Sequence, residues 1–161
     1  MTETPRRVER AVRDDGAFDP TDDGRFELTT TVFEAVMTAT ETDGRIDFEV
    51  RMRAPSLSAA VDGDVADVIE EGWLETFERR IEDVGGAMRG DDAPEPTVRA
   101  TTDEIVVEAA FTDINERRGV GDAAAIVNYA EGTYVQGLIP GYDYVDPVAG
   151  LVDRARRTGE R

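Results

Sequence analysis

Two runs of alternating apolar and polar residues, 32–41 and 45–54, are joined by Asp43-Gly44, and no other feature of the chain restricts its fold so tightly. Asp-Gly as a two-residue connection specifies a tight β-hairpin, because such turns need positive φ at both loop positions. A loop of that length pairs Ala39 with Phe48, Met37 with Val50, Ala35 with Met52 and Phe33 with Ala54, all on one face. The other face carries Glu34 opposite Arg53, Thr38 opposite Glu49 and Thr40 opposite Asp47. Turn chemistry and alternation specify the same register. A sheet with one apolar face needs a cover on that side.

The remaining segments supply that cover. Residues 5–14 read as a short helix with Val8, Ala11 and Val12 on one side, stopped by Asp15-Gly16. Phe18 is expected to pack back on the core, and 19–24 is a turn. A strand follows over 25–30, with Phe26 and Leu28 on one face. Pro55 ends the hairpin, and Ser56 caps a helical turn through Val61. The main helix is expected over 65–84, with Val65, Ile69, Trp73, Phe77 and Ile81 at i+4 spacing. Glu70, Glu71, Glu75, Glu78 and Glu82 then face water. Gly72, which costs about 1 kcal/mol against alanine in a helix, suggests close packing beside Trp73.

Gly85-Gly86 closes that helix, and the acidic, proline-bearing stretch 90–96 is the candidate for mobility. A second hairpin joins 97–101 to 104–112, setting Ala100 against Ile105 and Val98 against Val107. A helix is expected over 119–137, then a Pro-Gly turn over 138–144. Asp146-Pro147 opens a last helix to about Arg157, with 158–161 a frayed tail. The expected order is α-βββ-α-ββ-α-α. This is an α+β fold, an antiparallel sheet of about five strands with helices packed on one face, in a single domain spanning 1–161.

Composition sets the environment. Acidic residues number 36 against 18 basic ones, every basic residue is arginine, and the formal charge is −18. So large a charge on a small body repels itself in dilute buffer. At molar salt the Debye length falls to roughly 3 Å and most of that repulsion is screened. With 40% hydrophobic residues in regular periods, the chain reads as a salt-adapted folded protein and not a disordered one. Loss of structure on removing salt at neutral pH is the direct expectation. No run approaches the ~20 apolar residues of a membrane span. No signal-peptide core is visible, so a cytoplasmic setting is expected. Free nucleic acid, which needs a basic face, is not an expected partner.

Histidine, cysteine and lysine are absent. That removes the Ser-His-Asp triad, thiol nucleophiles, His/Cys zinc sites, Schiff bases and the P-loop lysine. Carboxylate, tyrosine, serine or arginine chemistry remains. An enzyme is disfavoured without being excluded, because two carboxylates suffice for some hydrolyses. No catalytic residue, metal site or cofactor is assigned.

Asp62-Gly63-Asp64 with Asp67 can hold a hard cation, but it lacks the spacing of a calcium loop, and a capped helix start is the preferred reading. Arg117, Arg118, Gly119 and Gly121 lead into a helix, where amides and two guanidiniums can bind an anion. The stretch 119–124 also matches a loose G-x-G-x-x-A pattern, without the βαβ context that gives it meaning. A plain loop-to-helix junction is the competing reading. Trp73 reads as core. Tyr129, Tyr134, Tyr142 and Tyr144 cluster late in the chain and form a candidate interaction surface, against the alternative that they pack the last helix.

The segments 15–18 (Asp15-Gly16-Ala17-Phe18), 24–27 (Gly24-Arg25-Phe26-Glu27) and 71–80, which opens Glu71-Gly72-Trp73-Leu74, resemble those of an uncharacterised haloarchaeal family of unknown function. The resemblance covers nearly the whole chain. It implies an extreme halophile as source, and no activity. The element order separately resembles the YbjN-like and type III secretion chaperone-like fold, in topology alone. That likeness implies a dimeric protein-binding module, by analogy. The sequence reading is therefore a non-catalytic protein-binding or chaperone-like domain, with self-association or a protein partner. The alternative is a small anionic-ligand or nucleotide-binding protein using Arg117, Arg118 and the turn from Gly119 to Gly121.

Overall fold

In the computed structural model, which describes residues 4–159, Asp43 and Gly44 both have positive φ, 53° and 81°. They close the hairpin of β3 (Glu34–Thr42) and β4 (Arg45–Pro55). Its register is the expected one: Ala35 faces Met52, Met37 faces Val50 and Ala39 faces Phe48. Phe33 lies one residue before β3 and is buried. The second hairpin, β5 (Thr97–Ala100) and β6 (Glu104–Asp113), also has the expected pairs.

The sheet has six strands in the order β1-β2-β3-β4-β6-β5, antiparallel throughout. The strand the sequence did not reveal is β1 (Phe18–Pro20), paired with β2 (Phe26–Leu28). Three residues are too few to show alternation, and β1 owes its shape to its partner. β6 keeps β5 on one side and on the other runs along β4 from Ile46–Asp113 to Pro55–Glu104, which closes the centre of the sheet.

All the helices lie on the apolar face. The long helix α4 (Glu116–Gln136) crosses β4 and β6. Against it pack α1 (Arg6–Asp15), α3 (Asp67–Ile81) and α5 (Val148–Gly159), while α2 (Leu57–Ala60) sits at the end of β4. Residues 160–161, and the side chains of 158 and 159, lie outside the described residues. Fully buried Val8, Met37, Ile46, Phe48, Leu57, Val84, Val120 and Tyr134 mark one continuous core. Each large apolar side chain buried there contributes about 1.5–3 kcal/mol.

The main helix is shorter than its periodicity suggests. Ala66 is its N-cap, so Val65 precedes it, and residues Glu82–Ala87 tighten into a 3-10 turn. Trp73, Phe77 and Ile81 are buried, but Ile69 is 38% exposed. Glu70, expected to face water, is half-buried. Its Oε2 accepts hydrogen bonds from the Ser58 amide (2.9 Å) and hydroxyl (3.1 Å), tying α3 to α2. Gly72 admits nothing close, since a Cβ there would meet no atom within 4 Å. Ser56 caps α2 as expected, accepting from Ala59 N at 3.2 Å. Asp146-Pro147 precedes α5 and does not open it.

Candidate functional site

The turn expected to hold an anion is the first part of α4. Asn115 is the N-cap, its Oδ1 accepting from Arg118 N at 2.9 Å, so Arg117, Arg118, Gly119 and Gly121 are all helical. The loop-to-helix junction lies three residues earlier than the glycine pattern suggests. Gly119 N donates to Asn115 O at 3.0 Å and is taken up by the helix. The same glycine carries α4 over the sheet. A Cβ on it would lie 2.2 Å from Phe48 Cε2, and Phe48 is stacked on Phe111 with ring centroids 5.0 Å apart. Gly119 is thus a close-approach residue.

The two guanidiniums turn to different partners. Arg117 bonds Asp14 of α1 at 2.6 Å. Arg118 grips Asp113 in a fork, Nε to Oδ2 at 2.8 Å and Nη2 to Oδ1 at 2.7 Å. Asp113 is buried, and the Asn115 amide also donates to it at 2.9 Å. The Arg118 hydrogen bonds, and then that amide, hold the Asp113 carboxyl below the usual carboxylate range, while burial opposes them. The pair raises Arg118 in turn.

Asp122, 2% exposed, was not singled out by the sequence. Its carboxylate accepts from Arg89 N at 2.8 Å and Gly90 N at 2.9 Å. Asp92 Oδ2 accepts from the Thr112 amide at 2.8 Å and its hydroxyl at 3.1 Å. The stretch 90–96, expected to be mobile, is therefore strapped to α4 and β6 by carboxylates. Beside the strap lies a cavity of about 400 Å³ containing Arg45, Asp91, Asp92, Asp113 and Arg118.

The four tyrosines do not share one exposed surface. Tyr134 is fully buried, packs edge-on to Phe33 and Trp73 and donates to Pro55 O at 2.9 Å. Burial pushes its phenol well above the usual value. Tyr129 donates to Arg80 O at 3.0 Å, bracing α4 against α3. The Tyr144 hydroxyl accepts from Ile139 N at 2.7 Å and donates to Ile139 O at 3.0 Å, and burial raises its pKa. Tyr142 is half-buried against the core. Each located hydroxyl braces backbone between or within elements, a role no local pattern displays.

Asp62, Asp64 and Asp67 stand exposed ahead of and at the start of α3, and Ala66, not an aspartate, is the cap. Among the described residues no three His, Cys, Asp or Glu side chains are placed to share a metal ion. Among them too, no helix is long and apolar enough to cross a membrane.

Two concave surfaces stand apart from these motifs. One is a groove of about 340 Å³ between α3 and the end of α4, lined by Val68, Ile69, Gly72, Trp73, Gly137 and Ile139. Val68 is 72% exposed, and Trp73 Nε1 is buried with no hydrogen-bond partner. That nitrogen lies 3.2 Å from where a Cβ on Gly137 would be. The other is a concavity of about 400 Å³ on the uncovered face of the sheet, around Arg51. Alternation places Arg51 on that face, but its neighbour Glu108 comes from the β4–β6 pairing, which hairpin rules do not determine.

A protein-family model described as a family of unknown function, DUF5813, matches residues 13–154. No curated protein matches the chain, and no solved structure matches it.

Proposed function

We propose, for a chain that belongs to the DUF5813 family of unknown function, a non-catalytic protein-binding domain that docks through the α3 groove. A second copy of the same chain is the occupant the groove fits best. The observation that carries this reading is the groove itself. Its floor is Gly72, where a side chain would meet open space, and its walls are exposed Val68 and Ile69 beside the unpartnered indole N–H of Trp73.

Val68, Gly72 and Thr76 follow one another at i+4 spacing along α3, all three lining the groove. A glycine at the centre lets a second helix approach closely. α3 carries Asp67 in its first turn and Arg79 and Arg80 in its last, the arginines flanked by Glu78 and Glu82. An antiparallel second copy sets Asp67 of each chain near the arginines of the other, the self-complementarity a two-fold interface requires. The setting in this reading is the salt-rich cytoplasm of a haloarchaeon, where a charge of −18 is screened well enough for like-charged copies to meet.

Light scattering in molar KCl tests it. The wild type is expected at twice its 17.6 kDa chain mass. Val68→Glu, which puts a carboxylate on the exposed wall, is expected at the single mass with an unchanged circular-dichroism spectrum. A wild type that stays at the single mass at every concentration would sink the proposal.

A further inference from the structure

Arg45 and Arg51 share the uncovered face of β4 and enter none of the ion pairs among the described residues, but of the two only Arg51 has a buried polar atom left without a partner. On and beside this face Arg25 bonds Asp23, Arg53 faces Glu104 and Arg99 bonds Glu108. Arg51, between Val36 on β3 and Glu108 on β6, enters none of these pairs. Its Nε is buried and has no hydrogen-bond partner. A buried N–H without an acceptor is costly, and one that sits in a concavity can be satisfied by an acceptor from outside.

The surroundings decide what that acceptor is. The concavity, about 400 Å³, also contains Thr38, Thr97, Glu49 and Glu95, together with Arg25 and Glu108, which ion pairs with Asp23 and Arg99 already engage. Its volume falls in the range of about 300–1,000 Å³ that small-molecule pockets span. A simple anion would meet Arg51 but also the repulsion of Glu49 and Glu95. A simple cation would meet those carboxylates but also the repulsion of Arg51. A molecule with both charges on neighbouring atoms satisfies all three groups. Salt screens a half-buried group such as Arg51 less than it screens a fully exposed charge.

We propose that this concavity binds a small zwitterion of the α-amino-acid class, with its carboxylate on Arg51 and its ammonium towards Glu49 and Glu95. The Thr38 and Thr97 hydroxyls supply the remaining polar contacts. The site lies on the face opposite the helices and is independent of any association through α3.

Isothermal titration calorimetry in molar KCl, with the proteinogenic amino acids as probes, tests this. Acetate and methylammonium serve as the two half-ligands. At least one amino acid is expected to bind saturably, and each half-ligand at least about tenfold more weakly. Arg51→Gln should weaken that amino acid by at least about tenfold, since it removes a charged donor pair. Arg53→Gln, on the same face but paired with Glu104, should leave it unchanged. Glu49→Gln/Glu95→Gln should weaken the amino acid while strengthening acetate, so the proposal stays testable even if Arg51→Gln does not fold. Three results overturn it: no saturable binding by any amino acid at millimolar concentration, acetate binding as tightly as the amino acid, or a folded Arg51→Gln that binds as the wild type does.

Discussion

Gly119 of α4 and Gly72 of α3 both stand within long helices, and the two have opposite surroundings. Gly119 of α4 faces the sheet, and a Cβ there would lie 2.2 Å from Phe48. Gly72 of α3 faces away from the core, and a Cβ there would meet nothing within 4 Å. The first is required by this fold. The second costs helix stability with no close contact in return, as Gly121 and Gly132 of α4 also do, and what sets it apart from them is its place in the α3 groove. A sequence pattern does not distinguish the two, because the difference lies in what stands opposite.

Replacing both glycines by alanine breaks or upholds that contrast most sharply. Gly119→Ala forces α4 off Phe48 and its stacked neighbour Phe111, and overpacking of this severity costs about 3 kcal/mol or more. Urea unfolding in molar KCl should show a large drop in midpoint or no cooperative transition. A Gly119→Ala protein as stable as wild type would mean that α4 does not cross the sheet at this residue.

Next in size is Asp122→Ala, also on α4. It leaves the Arg89 and Gly90 amides without their acceptor, at a cost of about 1–3 kcal/mol. Limited proteolysis should then cut within 88–96 faster than in the wild type. Cutting there at equal rates in both proteins would show that the carboxylate strap does not hold this stretch.

Gly72→Ala should go the other way. It gains about 1 kcal/mol of helix propensity and meets no neighbour. Urea unfolding at low protein concentration should show the gain. Light scattering at high concentration should show weaker association, because the new methyl stands where a second copy would approach. A gain in stability with association unchanged would keep the comparison of the glycines and remove the dimer from it.

What the sequence made legible follows the range of each interaction. The β3–β4 hairpin was legible in full, because Asp43-Gly44 fixes its own φ angles and alternation fixes the rest. The second hairpin and the α2 cap were legible from other local signals, alternation across a short loop and a serine before a helical turn. β1 was not, because its shape comes from pairing with β2. The glycines and arginines of 117–121 were visible as a group, but their roles come from Phe48, Asp14 and Asp113 on other elements. The tyrosines were visible as a cluster, yet Tyr134 and Tyr129 reach backbone carbonyls of Pro55 and Arg80, far along the chain. Local text predicts local geometry, and the candidate surfaces are where distant segments meet.

The smallest effect concerns the charged pair at the start of α4, which has no counterpart on α3. Asp113 has a folded-state pKa below its ordinary 3.8, set first by Arg118. A depressed carboxylate contributes stability that is fully present above the unfolded value of 3.8 and is lost as pH falls through the lower folded value. The Arg118 side chain is 39% exposed, so molar salt weakens the pair and places the effect last. Below pH 3.8 wild type should therefore lose stability more steeply than Arg118→Gln, the two curves converging as Asp113 protonates in both. Parallel curves for the two proteins from pH 5 to the acid limit would show that Arg118 does not set the Asp113 titration. The capping of α4 would then rest on Asn115 alone, and the charge at its start would be as incidental to the fold as the exposed aspartate at the start of α3.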